Sequence, residues 1–364
     1  WISPMRFPLP SPLSLTLALS LAATTTAFAA TVTEPQSDAA AKAAIAESTS
    51  AILQGDSHRA VAGLEQAPAA GFVGADASYR NCMIGRFQHA TPAFDTEVVS
   101  EPFVRDVFRI YQDYWWNALQ NPSQRVPLET TLFEQLRQRL GAGTTTATDM
   151  DALEPLLQSA LLERGYHAQL GRTMPLRELM LWRKQETRYY DVDLPEGHRR
   201  ARVELLDDFV SRGWSAYARC GRGSAGGWAT ADMLYAVVPS YTEGLDSEAF
   251  RVVFLGHETQ HFADQNAFPG MASWELEYRA KLVELVQARE VSAKRLGYMI
   301  TAQSDDIDSP HTYANKRVVA DLTARLGRAP DQVGVDELQQ AAREQLLADT
   351  QRRKRGAHTA TTAP

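Results

Sequence analysis

Five consecutive residues, His257-Glu258-Thr259-Gln260-His261, have side chains whose type and spacing can do chemistry. On a helix, residues four apart lie just over one turn from each other, so both imidazoles leave the same face and can grip one metal ion. The Glu258 carboxylate, beside the first histidine, would then face the open coordination position where a water sits. Zinc held this way lowers the pKa of that water towards neutrality, and a carboxylate can take its proton to make a hydroxide nucleophile. The bland alternative is a core helix whose histidines merely hydrogen-bond, and it requires a buried partner for two imidazoles and a carboxylate.

The flanking residues suit such a helix. Residues 250–256 run into the motif with Gly256 as their one helix breaker. Val253, His257 and His261 fall on one face at i, i+4 and i+8, with Phe254 and Glu258 beside them. Thr259, Gln260 and Phe262 are uncharged, as a helix buried under a site requires.

The H-E-x-x-H motif and its surroundings, about residues 225–330, resemble the zincin metallopeptidases. The resemblance implies a zinc cofactor, Zn2+, and a third protein ligand. In the metzincin branch that ligand is a histidine six residues after the second motif histidine, with a glycine three residues before it. Those positions hold Ala267 and Asp264, which excludes the branch. In the gluzincin branch the ligand is a glutamate on a following helix, and residues 274–282 offer a helical run after the Pro269-Gly270 turn. Glu277, followed three residues later by the small Ala280, matches the gluzincin ligand helix. Glu275 is the alternative, because a helical wheel sets it nearer the apolar arc of Trp274, Tyr278, Leu282, Leu285 and Val286. Glu277 instead shares a polar stripe with Lys281 and Glu284. Lys281 departs from the family pattern, since thermolysin-like enzymes often carry an acidic residue there to support a ligand histidine.

By the same resemblance, Glu258 is the catalytic base, and a His, Tyr or Arg outside the ligand set stabilises the oxyanion. His311, Tyr313 and Arg279 are the candidates, the first two in the opening turn of a helix that starts at Ser309-Pro310 and runs to residue 326. Asp264, one turn after His261, is a candidate acceptor for a ligand imidazole. Residues 235–238 are the candidate edge strand for an extended peptide substrate.

The elements that must position these groups fit an α+β, predominantly helical chain. It would combine a zincin-like catalytic domain, made of a small mixed sheet with motif and ligand helices, and an N-terminal helical region. Helices are expected at 39–53, 57–64, 102–119, 128–140, 152–164 and 201–209. Residues 176–182, 186–194, 214–220 and 233–239 read as strands, with a turn at Pro195-Glu196-Gly197. Residues 69–93 look irregular, and the aromatic stripe of 102–119 reads as packing. The glycine-rich 221–227 lacks the lysine and spacing of a phosphate loop and suits a lip beside the cleft. The expected divisions are a signal peptide at 1–29, the helical region at 30–148, the catalytic domain at 149–350 and a disordered tail at 351–364. Gly141 to Thr148 provides the linker.

The signal reading rests on Met5-Arg6, an apolar run at 13–23 too short to span a membrane, and Ala27-Phe28-Ala29. It implies export to a bacterial periplasm or beyond, with no membrane span after cleavage. Two cysteines, Cys82 and Cys220, fit that address, either as one bridge or as two buried thiols. A net charge of −7 argues against a nucleic-acid partner. The expected function is an exported zinc peptidase acting on peptides or proteins of the cell envelope. The alternative from another class is a non-catalytic envelope scaffold or binding protein with a structural or vestigial zinc site. A cell-wall amidase would differ from the peptidase in substrate only.

Overall fold

The computed structural model describes residues 36–88, 94, 99–141, 146–223, 225–230 and 232–361, with side chains to residue 355. The signal segment at 1–29 lies outside the described residues. Contacts gather the described residues from Ser37 onward into one compact unit.

Six helices open it: α1 (Ala39–Leu53), α2 (Ser57–Gln66), α3 (Gly74–Gln88), α4 (Pro102–Gln120), α5 (Arg125–Leu140) and α6 (Met150–Leu162). Several start where an acidic side chain accepts a free backbone N–H. Asp38 caps Ala41 N, Asp56 caps Arg59 N, Glu101 caps Val104 N and Asp149 caps Ala152 N. The α4 stripe is packing, since Phe103, Val107, Tyr114 and Trp115 are all buried. Helix α3 corrects the irregular reading of 69–93 over residues 74–88, and 89–93 lie outside the described residues. Tyr79, Met83 and Phe87, at four-residue intervals, bury one face, and that burial overrides the weak propensity of its Gly and Asn residues.

The sheet follows, with β1 (His167–Thr173), β2 (Leu176–Leu194), β3 (Gly197–Arg212), the short helix α7 (Trp214–Ala218), β4 (Gly227–Ala229) and β5 (Leu234–Val237). Its strand order is β1-β2-β3-β5-β4, with β3 and β5 parallel and the other pairs antiparallel. Residues 176–182 and 186–194 form one long strand rather than two, carried past a register shift at Leu181/Trp182. The Pro195-Glu196 turn closes the β2–β3 hairpin, pairing Leu194 with Gly197.

Two expected elements change type. The 201–209 helix is part of β3, because the ladder with β2 lets Ala201, Val203 and Leu205 alternate into the core. The 214–220 strand is instead α7. Gly213 turns the chain at φ 87°, the Glu178 carboxylate accepts Trp214 N, and Trp214, Tyr217 and Ala218 bury one helical face.

The sheet edge differs as well. Residues 235–238 belong mostly to β5, which lies between β3 and β4, so among the described residues the edge strand on this side of the sheet is Gly227–Ala229. Glycine at 227 makes this possible, because a Cβ there would collide with the Tyr235 carbonyl and the Phe254 ring.

The remaining elements carry the motif. A π-helical run, Phe250–Gly256, leads into α8 (His257–Ala267), followed by α9 (Ser273–Gln287), α10 (Ser292–Thr301), α11 (Pro310–Leu326) and α12 (Val335–Thr361). The tail expected to be disordered prolongs α12 to Thr361, and residues 362–364 lie outside the described residues. Its start is pinned by Arg353, which pairs with Asp349 and Glu275.

One core joins α1–α7 with β1 and the start of β2, and the other joins the far half of the hairpin with β5 and α9–α12. Leu132 and Leu136, before the 141–148 linker, share the first core with Leu153, Leu157 and Leu161 beyond it. Cys82 of α3 is bridged to Cys220, just after α7, across 138 residues of sequence. Among the described residues no helix is long and apolar enough to cross a membrane.

Candidate metal centre

The π-helical run widens the backbone immediately before the motif, a distortion often found at functional sites. Gly256 ends it without breaking the helix. A Cβ there would strike the Gln287 carboxamide, so glycine lets α9 close on the motif.

On α8 the His257 and His261 rings stand nearly perpendicular, 4.6 Å between centroids, with their Nε2 atoms 3.0 Å apart. From α9, Glu277 sets Oε1 3.3 Å from His261 Nε2 and Oε2 3.6 Å from His257 Nε2. One donor atom from each of the three residues lies within 4.8 Å of the others. All three residues are under 10% exposed.

These contacts fit a cation. Tetrahedral coordination with bonds of ~2.0–2.1 Å puts neighbouring donors about 3.3 Å apart, within the range of these contacts. Two imidazoles and one carboxylate are also the donor set of a catalytic zinc site that keeps a fourth position open. Without a cation the two Nε2 atoms are left 3.0 Å apart, and the buried Glu277 Oε2 has ion-pair contacts only, with His311 Nδ1 at 2.7 Å, Lys281 Nζ at 3.5 Å and His257 Nε2 at 3.6 Å.

The electrostatics agree. Burial alone would drive the His257 imidazole down, but the Glu277 and Glu284 carboxylates outweigh it and push it up to about 10. Burial would raise the Glu277 carboxyl, yet its contacts with His257, His261 and His311 hold it well below the usual carboxylate range. Positive charge is favoured between these side chains.

Glu277 is the glutamate that joins the histidines. Glu275 sits at the start of α9, where it accepts Ala272 N at 2.9 Å and pairs with Arg353 at 3.0 Å.

The residue that sequence reasoning missed is Glu284. It is 1% exposed, and its Oε1 accepts a hydrogen bond from His257 Nδ1 at 2.6 Å, which aims Nε2 at the other donors. Its Oε2 accepts Arg295 Nε at 2.7 Å and Nη2 at 2.6 Å. It thus fills the supporting role left open by Lys281. The signal was present, because 277 and 284 are two turns apart on one helix face. The Glu277–Lys281–Glu284 stripe looks solvent-facing only if α9 is taken as a surface helix.

Asp264 and Arg279 have other tasks. Asp264 accepts Gln260 Nε2 and Arg279 Nε, both at 2.9 Å, rather than a ligand imidazole. Arg279, fully buried, also donates to Asp349 and Thr350 and pairs with Glu196, so it ties α8, α9, α12 and the β2–β3 turn together. Its guanidinium is committed to that network and is not an oxyanion donor. Tyr313 packs edge-on against Trp274, with centroids 5.2 Å apart, and does not line the cleft described next.

A cleft of about 460 Å³ opens beside His257. Gly226, Gly227, Tyr241, Phe254 and Glu258 line it, as do Lys281, Arg295, Tyr298 and His311. The glycine-rich stretch is therefore a wall of this cleft at its 225–227 end. Among the described residues Glu258 makes no hydrogen bond or ion pair, so its carboxylate is uncommitted. Burial, reinforced by the Glu258 charge, pushes the Tyr241 phenol well up, and its hydroxyl donates to Gly226 O at 2.9 Å. His311 is largely exposed, with Nδ1 2.7 Å from Glu277 Oε2.

Compared with known protein families, curated proteins and solved structures, the chain matches none of them.

Proposed function

We propose that the protein is an exported zinc-dependent metallohydrolase of gluzincin-like design that cleaves peptide bonds in proteins or peptides of the cell envelope. The observation that carries this reading is the buried His257–His261–Glu277 donor group with the uncommitted carboxylate of Glu258 in the adjoining cleft. His257, His261 and Glu277 would hold the ion. Zinc bound there would acidify a water and polarise a carbonyl.

The chain's own residues do the rest. Glu258 takes a proton from the attacking water as its oxygen bonds to the carbonyl carbon, and the C=O pair moves onto the carbonyl oxygen. When the C–N bond breaks, Glu258 returns the proton to the leaving nitrogen, so water and amide become carboxylic acid and amine. Glu284 keeps His257 in one tautomer. His311, on the cleft wall, is the candidate from the sequence that remains within reach of the developing charge. The free edge of β4, with Gly227 in the cleft wall, suits an extended backbone.

A scaffold with a closed structural site would call for a fourth donor and an engaged Glu258. Among the described residues the donor group has three members.

The test is Glu258→Gln. It should keep one zinc per chain by mass spectrometry while hydrolysis of labelled casein falls about 10²–10⁴-fold. Metal-free wild type, or a fully active variant, defeats the reading.

A further inference from the structure

Lys281 is the anomaly of the cleft. Its residue is 2% exposed, yet among the described residues its ammonium makes no hydrogen bond. Its one ion pair is a long contact with Glu277 Oε2, at 3.5 Å. An ammonium has three N–H groups, and Nζ is not among the buried polar atoms left without a partner, so those that Glu277 does not engage are open to the cleft. The neighbouring basic side chains are spent differently. Arg295 directs Nε and Nη2 onto Glu284, and His311 directs Nδ1 onto Glu277. The Nζ of Lys281 is not sealed into the protein, because its side chain forms part of the cleft wall.

We propose that Lys281 is a catalytic residue: its ammonium forms an anion subsite beside the donor group, where it hydrogen-bonds the oxyanion that develops on the scissile carbonyl. This rests on the hydrolase reading above. The placement favours the reacting carbonyl over a remote substrate carboxylate, because Nζ is in contact with an oxygen of the donor group itself. In a site this buried the charge is little screened by water, so one positioned donor has a large effect on a developing negative charge. Lys281 neither gains nor loses a bond in the step. It donates N–H hydrogen bonds, and the proton traffic stays with Glu258.

The test uses the full chain loaded with cobalt(II), whose visible absorption reports on the donor group, and acetate as the probe for the carboxylate product. Lys281→Met should keep stoichiometric cobalt and bind acetate at least tenfold more weakly, whereas Lys281→Arg should stay within about threefold of wild type. Because the ion, His257, His261 and His311 would still face Glu277, the thermal midpoint of cobalt-loaded Lys281→Met should stay at that of wild type. A strut for Glu277 behaves in the opposite way, so a lowered midpoint or lost cobalt overturns the proposal. So does unchanged acetate affinity in Lys281→Met, or wild type that takes cobalt and ignores acetate. Wild type that takes no cobalt defeats the metallohydrolase reading itself, a result distinct from all of these.

Discussion

Replacing Glu284 by glutamine keeps the side chain's shape and removes its charge, at a position 1% exposed and two turns along α9 from Glu277. In the native protein one oxygen accepts His257 Nδ1 at 2.6 Å and the other accepts two nitrogens of Arg295. A carboxamide has one oxygen and one NH2, so glutamine can accept from His257 or from Arg295 but must point N–H at the other. A buried charge-assisted hydrogen bond is worth ~1.5–3 kcal/mol, and either orientation forfeits one. If His257 loses its acceptor, the ring is free to turn its donor nitrogen away. If Arg295 loses it, the charge that holds the imidazole proton on Nδ1 is gone.

Both routes weaken the metal site by about 10–100-fold, the range for lost supporting contacts. Competition with a chromophoric chelator at fixed pH measures this directly, with circular dichroism to confirm folding. Glu275→Gln is the control, since its cap and its Arg353 pair lie away from the donors, and it should leave zinc affinity unchanged. A folded Glu284→Gln protein with zinc affinity within threefold of wild type would refute the reasoning.

Three further outcomes concern stability. Burial pushes the Glu178 carboxyl up to about 7 from 4.5, against hydrogen bonds from Trp214 N and Leu179 N. A raised folded-state pKa makes the protonated form the stabilising one, so its contribution is whole below about pH 4.5 and is lost as pH rises through about 7, at most ~3 kcal/mol. Urea midpoints should therefore move in favour of Glu178→Gln over wild type between about pH 5 and 8, and a constant difference would contradict the assignment. Arg279→Met leaves the buried Asp264 carboxylate with Gln260 alone, while Asp349 keeps Arg352 and Arg353, and should cost about 3–5 kcal/mol in denaturant unfolding, so a loss under 1 kcal/mol would demote the network. Serine at both Cys82 and Cys220 opens a 138-residue loop and should cost about 2–4 kcal/mol, while titration of the denatured, unreduced wild type should find no free thiol.

The helices were legible where apolar spacing and caps agreed. Ala39–Leu53 is read to the residue, and α4 to within one, because Asp38 and Glu101 mark their starts and burial keeps a helical period. The misreadings share a cause. Residues 201–209 contain good helix formers but pair along β2, and 214–220 is rich in strand-forming aromatics but coils where Glu178 and Gly213 turn the chain. Each depends on a partner distant in sequence.

The site divides in the same way. Spacing alone determined that His257 and His261 share a helix face with Glu258 beside them, because 3.6 residues per turn is a local property of the backbone. The choice of Glu277 over Glu275 and the support from Glu284 were settled by how α9 is rotated against α8. Gly256 permits that approach and the Arg279 network helps to fix it. The commitment of Arg279 and the place of Lys281 in the cleft were decided there too. Helix rotation depends on which faces bury against every neighbour at once, and that information is spread over α12, the β2–β3 turn and α9 rather than written in any one segment.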